Sequence, residues 1–132
     1  MSDLLLDTCA LLWVASGDDL APSSREALAT RSVHVSPISA WEIANLARKN
    51  RIAFTLPVVA WFLQAMARMA ASLPELTVQI LVNSCNLPGL PPNDPADRII
   101  IATARDMDMT IVTRDKKILE YSRAGHVRTM VC

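Results

Sequence analysis

The chain has 132 residues, 52% hydrophobic and 20% charged, which suits one globular domain over 1–132 and is too apolar for intrinsic disorder. Its 13 basic and 13 acidic side chains cancel, so no net positive charge advertises a polyanionic partner. Cys9, Cys85 and Cys132 are too widely spaced for a disulfide framework or a Cys-x-x-Cys knuckle and read as free thiols, while His34 and His126 give little support for zinc ligation or a Ser-His-Asp triad.

Met1-Ser2-Asp3 lacks the basic start and long apolar run of a secretory signal, which predicts a cytoplasmic protein. Leu4-Leu5-Leu6 reads as a strand buried on both faces, stopping at Asp7. A short helix over Thr8 to Ser16 is ended by Gly17, and Pro22 opens a second helix that runs to Thr30. Val33 to Ser36 alternates and is β-branched, as a second strand would be. Ser39-Ala40-Trp41-Glu42 has the spacing of a capping box and predicts a helix over Ile43 to Asn50.

Pro57 to Ala71 has helical composition closed by Pro74; with Gln64 and Arg68 inside it, and well short of ~20 apolar residues, it is a core helix rather than a membrane span. Thr77 caps a further helix to about Asn86, and the Pro-rich stretch Leu87 to Asn93 is a loop. Asp94-Pro95-Ala96-Asp97 supplies an N-cap, a proline at the first helical position and an acid in the first turn, predicting a helix to about Asp106. Thr110 to Val112 is a buried strand, Asp115 caps a helix from Lys116 to Tyr121, and Val127 to Val131 is the last strand. Strands alternating with helices predict an α/β fold with a mostly parallel sheet covered on both faces.

Asp7, Asp115 and, more loosely, Glu42 follow predicted strands, and Asp97 begins a helix. In open α/β sheets the loops at the carboxyl ends of the strands converge on one crevice, so these four carboxylates can meet. Taken singly, Asp94 and Asp115 are explained as helix caps, Glu42 as half of a capping box and Asp97 as a dipole partner. Asp7 resists such an explanation, because a lone acid directly after a buried strand is costly to desolvate. Gathered carboxylates raise one another's pKa unless a divalent cation neutralises them, and hard oxygen donors suit Mg²⁺ or Mn²⁺. Such ions serve phosphodiester hydrolysis. Setting those four acids aside leaves nine against 13 basic residues, a balance of +4 that allows a basic rim around an acidic pocket.

The blocks Leu4-Leu5-Leu6-Asp7-Thr8-Cys9-Ala10-Leu11-Leu12-Trp13, Ser39-Ala40-Trp41-Glu42-Ile43-Ala44, Asn93-Asp94-Pro95-Ala96-Asp97-Arg98-Ile99 and Val112-Thr113-Arg114-Asp115 resemble, in order and spacing, the PIN domain. They are most similar to its VapC-like branch, the toxins of toxin–antitoxin pairs. The resemblance implies a three-layer α/β/α sandwich on a five-stranded parallel sheet and an Mg²⁺- or Mn²⁺-dependent endoribonuclease. It carries the catalytic and metal-binding acids onto Asp7, Glu42, Asp97 and Asp115, with Thr8, Thr113 and Asp94 in support. It further implies an RNA substrate, a VapB-like antitoxin partner, assembly as a homodimer or larger hetero-oligomer, and no membrane association. The chain departs from the family at Pro91-Pro92-Asn93, where a His or aromatic is common, and at Cys9, where His is common.

Arg48, Lys49 and Arg51 are candidate RNA contacts, although a basic helix end is also a dipole partner. Trp13, Trp41, Trp61, Met66 and Met69 read as core or oligomer packing. Arg98 is placed to pair with a local acid or to touch substrate. Other readings remain open: a receiver-like or phosphatase-like metal-binding α/β domain, for which Leu6-Asp7-Thr8-Cys9 offers one acid where two are expected, and a non-catalytic interaction module.

Overall fold

A computed structural model describes all 132 residues. The strands are β1 (Leu4–Leu6), β2 (Val33–Val35), β3 (Thr110–Thr113) and β4 (Arg128–Val131). The helices are α1 (Thr8–Ala15), α2 (Pro22–Thr30), α3 (Pro37–Arg48), α4 (Val58–Met69), α5 (Val78–Ser84), α6 (Pro95–Met107) and α7 (Lys116–Arg123). All ladders are parallel, in the order β2-β1-β3-β4. No helix is long and apolar enough to cross a membrane.

The two buried faces follow from strand alternation. Leu4, Leu6, Val33, Val35 and Val112 face one side, against Leu11 of α1, Ile43 of α3 and Phe62 and Met66 of α4. Leu5 and Ile111 face the other, against Ile100 and Ile101 of α6 and Ile118 and Tyr121 of α7. This is the α/β/α sandwich expected. Each fully buried Leu or Ile contributes about 1.5–3 kcal/mol relative to exposure, so the short strands are held by packing more than by their few ladder bonds.

The sheet has four strands, not five. The missing one is reduced to Ser72, which forms a single parallel bridge beside β2: Ser72 N donates to Val33 O at 3.0 Å and Val35 N donates to Ser72 O at 2.9 Å. Between the end of α4 and Pro74, which has no N–H to offer, too little chain remains for a ladder.

The Ser39 to Glu42 capping box is also corrected. The helix begins a turn and a half earlier, at Pro37, and its N-cap is Ser36, whose Oγ accepts from Ile38 N at 3.2 Å. Proline at the first helical position set this start. Ser39 and Glu42 are therefore neighbours on one helical face rather than cap partners.

Helix α4 ends on Ala70 in the left-handed conformation, φ 51°. That conformation costs a non-glycine residue about 1–2 kcal/mol, whereas glycine adopts it freely but loses more entropy on folding. Ala70→Gly is expected to raise stability by about 0.5–1 kcal/mol in urea denaturation; a lower midpoint would show that Ala70 is unstrained.

Candidate active site

Three helices begin at the carboxyl edge of the sheet on an acidic cap. Asp7 caps α1, its Oδ1 accepting from Ala10 N at 2.8 Å; Asp94 caps α6, accepting from Asp97 N at 3.0 Å; Asp115 caps α7, accepting from Lys117 N and Ile118 N at 2.9 and 3.0 Å. Asp7, which resisted a structural explanation in the sequence, thus has one. The helix N-termini bring partial positive charge to this edge, which favours carboxylates there.

Hydroxyl groups tie the acids together. Thr113 Oγ1 donates to Asp7 Oδ2 and accepts from Asp115 N at 2.9 Å, so one threonine links two acids carried on adjacent strands. Thr8 Oγ1 donates to Glu42 Oε1 and lies 2.9 Å from the Oγ of Ser39. Asp7 is only 4% exposed, with both its oxygens engaged. The carboxylate of Asp97 accepts no hydrogen bond.

Burial pushes up the carboxyl pKa of Asp7, against the hydrogen bonds from Thr113 and Ala10, and that of Glu42, against the bond from Thr8. Asp97 is pushed up to about 7, first by burial and then by the charges of Asp94, Asp115, Glu42 and Asp7. The other four acids all act on Asp97, so the structure brings together all four sequence candidates and Asp94 with them. None of the five takes part in an ion pair. The thiol of Cys9, at the same edge, is pushed up to about 11 by burial and by the neighbouring acids.

This donor set fits a hard divalent cation. It offers carboxylate oxygens only, crowded and lacking a counter-charge, and the free oxygens of Asp97 are unrestrained. As the side chains stand, no three of the acidic, His or Cys groups converge tightly enough to hold one ion. Closing on an ion requires the carboxylates to turn inward, which Asp97 is the freest to do.

Other candidates fall elsewhere. Arg48, Lys49 and Arg51 are exposed at the far end of α3, Arg48 bonding back to Asn45 Oδ1 at 2.7 Å. Arg98 pairs with no acid; it donates to Ser84 O at 2.9 Å and Pro92 O at 3.3 Å, lacing α6 to α5 and to the Pro-rich loop. That loop is also clamped from α7, where Tyr121 OH donates to Pro88 O at 2.5 Å and stacks on His126 at 4.7 Å. Gly89, at φ +69°, lies against the same imidazole, and a Cβ there would collide with it. Trp13 carries the Arg114 guanidinium 3.8 Å above its ring, and Trp61 packs on Phe54. Met66 is buried, but Trp41 is 63% exposed, which takes it out of the core and leaves the oligomer-packing half of its reading. Sequence reasoning missed Ser39, fully buried beside Thr8; its i, i+3 spacing from Glu42 within one helix was the available signal.

The PIN domain family model matches residues 4–124. Ribonuclease VapC22 of Mycobacterium tuberculosis is 33% identical over 120 residues, 89% of this chain and 91% of that one. Similar solved structures include VapBC2 from Rickettsia felis bound to a DNA fragment from their promoter, with TM-score 0.67 and 13% identity over 97% of each chain. A toxin-antitoxin complex from Klebsiella pneumoniae has TM-score 0.60 and 22% identity, over 88% of this chain and 90% of that one. FitAcB from Neisseria gonorrhoeae has TM-score 0.55 and 17% identity over 96% of each chain.

A raised folded-state pKa favours folding only while the group is protonated. The contribution of Asp97 is therefore present below about pH 4 and lost as pH rises through about 7. In EDTA, Asp97→Asn is expected to melt with the wild type near pH 4, progressively above it as pH rises from about 4 to about 7, and by a constant margin beyond that. Mn²⁺ should raise the wild-type melting temperature at pH 8 and the variant's far less. A variant uniformly less stable than the wild type, with a wild type indifferent to Mn²⁺, would reduce Asp97 to a helix-dipole partner.

Proposed function

The chain belongs to the PIN-domain family, and on that premise we propose that residues 1–132 form a single cytoplasmic nuclease domain, a metal-dependent endoribonuclease acting as the toxin of a toxin–antitoxin pair. The observation that carries the reading is five carboxylates gathered at one sheet edge with no side-chain cation among them. The identity with Ribonuclease VapC22 supports RNA as the substrate.

In this reading Asp7, Glu42, Asp97 and Asp115 are the catalytic and metal-binding residues for Mg²⁺ or Mn²⁺. When bound, such a cation supplies a Lewis acid that activates water and offsets charge on the phosphoryl group. Asp7, fixed on both oxygens, is the rigid member. Thr113 holds it in register with Asp115, and Thr8 aims Glu42. Asp97, unrestrained, adjusts its carboxylate to the ligand. Asp94 holds the first turn of α6 and adds negative charge at the rim. Arg48, Lys49 and Arg51 would contact RNA phosphates from the end of α3, about 9 Å along the helix from Glu42.

A groove of about 570 Å³ runs beside the acids, with Leu12, Ile38, Trp41, Leu46 and Ile99 among its lining residues and Glu42 and Asp94 at its border. It suits an antitoxin segment that seats apolar side chains in the groove and brings a basic group to the carboxylates. The exposed Val78, Leu81 and Val82 of α5 supply apolar surface for assembly into a homodimer or a larger complex with the antitoxin.

The purified chain, free of partner, should cleave RNA in Mg²⁺ or Mn²⁺ and stop on adding EDTA. Asp7→Asn should lower the rate by about a hundredfold or more, the scale of losing a group that acts in the transition state. Undiminished cleavage in excess EDTA would remove the metal assignment. Expressed alone, the chain should arrest growth; growth unaffected by a chain that is an active nuclease in vitro would remove the toxin assignment.

A further inference from the structure

At the opposite edge of the sheet, where the strands begin, a crevice of about 740 Å³ opens between the ends of α6 and α7 and the starts of β3 and β4. Arg31, Arg105 and Arg128 line it from three separate parts of the chain, with His126 between them in sequence. Its one acid, Asp108, is already paired with Arg128 at 2.7 Å. Arg31 and Arg105 are in no ion pair.

Local structure explains part of this. Helix C-termini favour cations, and each arginine caps a backbone carbonyl. Arg31 Nε donates to Ser2 O at 2.7 Å, an Arg105 terminal nitrogen donates to His126 O, and an Arg128 terminal nitrogen donates to Asp108 O at 3.0 Å. A guanidinium has five N–H donors, however, and these bonds engage only one or two of them. Carbonyl capping does not require three cations around one concavity, where they repel one another in the absence of an anion. Spare, forked donors match the oxygens of a phosphate, which accepts two parallel bonds from arginine. In the same wall Thr129 Oγ1 donates to Ser122 Oγ at 2.8 Å, which leaves the Ser122 hydroxyl proton as a neutral donor for the anion.

We propose that the crevice lined by Arg31, Arg105 and Arg128 is a binding site for a phosphate group, carried either by a free nucleotide or by the backbone of RNA. The site is separate from the acidic edge. With strands of three or four residues the two edges are about 10–13 Å apart. The inference does not depend on the nuclease reading, since binding is measured in EDTA without turnover.

The test follows the backbone amide resonances of Thr110, Ser122, Gly125 and Thr129 while inorganic phosphate, adenosine 5′-monophosphate or a short single-stranded RNA is added in EDTA. Saturable shifts are expected with a midpoint at or below about 1 mM. Saturation by phosphate and the mononucleotide identifies a free-nucleotide site, and saturation by RNA alone identifies a backbone site; both support the proposal. In a folded Arg105→Gln/Arg128→Gln variant the midpoint should rise about tenfold or more. Should that variant fail to fold, Arg105→Lys, which keeps the charge and loses the fork, should still weaken binding. No saturable shift with any of the three ligands, or an unchanged midpoint in a folded variant, overturns it.

Discussion

Carboxylates that repel one another are held together at the carboxyl edge of this sheet, and much of the molecule is arranged around that repulsion. Asp7, Glu42, Asp94, Asp97 and Asp115 share no ion pair. What offsets their repulsion is backbone and hydroxyl chemistry: three helix N-termini aimed at the same edge, and two threonines each donating to an acid. These donors do not cancel the charge. Burial and mutual repulsion still leave Asp97 with a pKa of about 7, the condition expected of a site that is completed by a cation from outside.

The capping and functional explanations of these acids, set against each other in the sequence, prove compatible in space. Asp7, Asp94 and Asp115 each give one oxygen to a helix N-terminus. For Asp94 and Asp115 no hydrogen bond claims the second oxygen. The cap fixes the position and direction of the carboxylate, so the same bond that starts the helix also orients the acid. A capping acid is thus one way to place a charged group rigidly at a strand end without extra machinery.

What was readable in the chain was whatever local chemistry determines. Leu4-Leu5-Leu6 sits in the sheet centre as an unbroken apolar triplet should, and Asp94-Pro95 starts its helix where the cap and fixed φ dictate. The start of α3 was misjudged because Ser36-Pro37 and Ser39 to Glu42 are both helix-start patterns, and packing of Ile43 and Ser39 into the interior selected the longer helix. The fifth strand was unreadable for another reason. Whether Ser72 adds one bridge or a ladder depends on where α4 stops, at a left-handed alanine that no propensity favours. Arg98 could not be assigned because its partners are carbonyls 6 and 14 residues away, brought close only by the packing of α5 on α6. The zero net charge likewise concealed a gathering of five acids at one sheet edge and of three arginines in a crevice at the other.

Gly89 and His126 are far apart in the chain and share one small space. Any side chain at 89 meets both an unfavourable φ and the imidazole, while a smaller residue at 126 would leave Tyr121 without its stacking partner. Neither position is free to drift alone. In a lineage of such proteins the pair should change as a unit or stay as it is, and the order of events is constrained: position 126 must shrink before position 89 can grow. The Pro-rich loop, irregular as it is, is by this contact constrained at one position by a residue 37 places further along the chain.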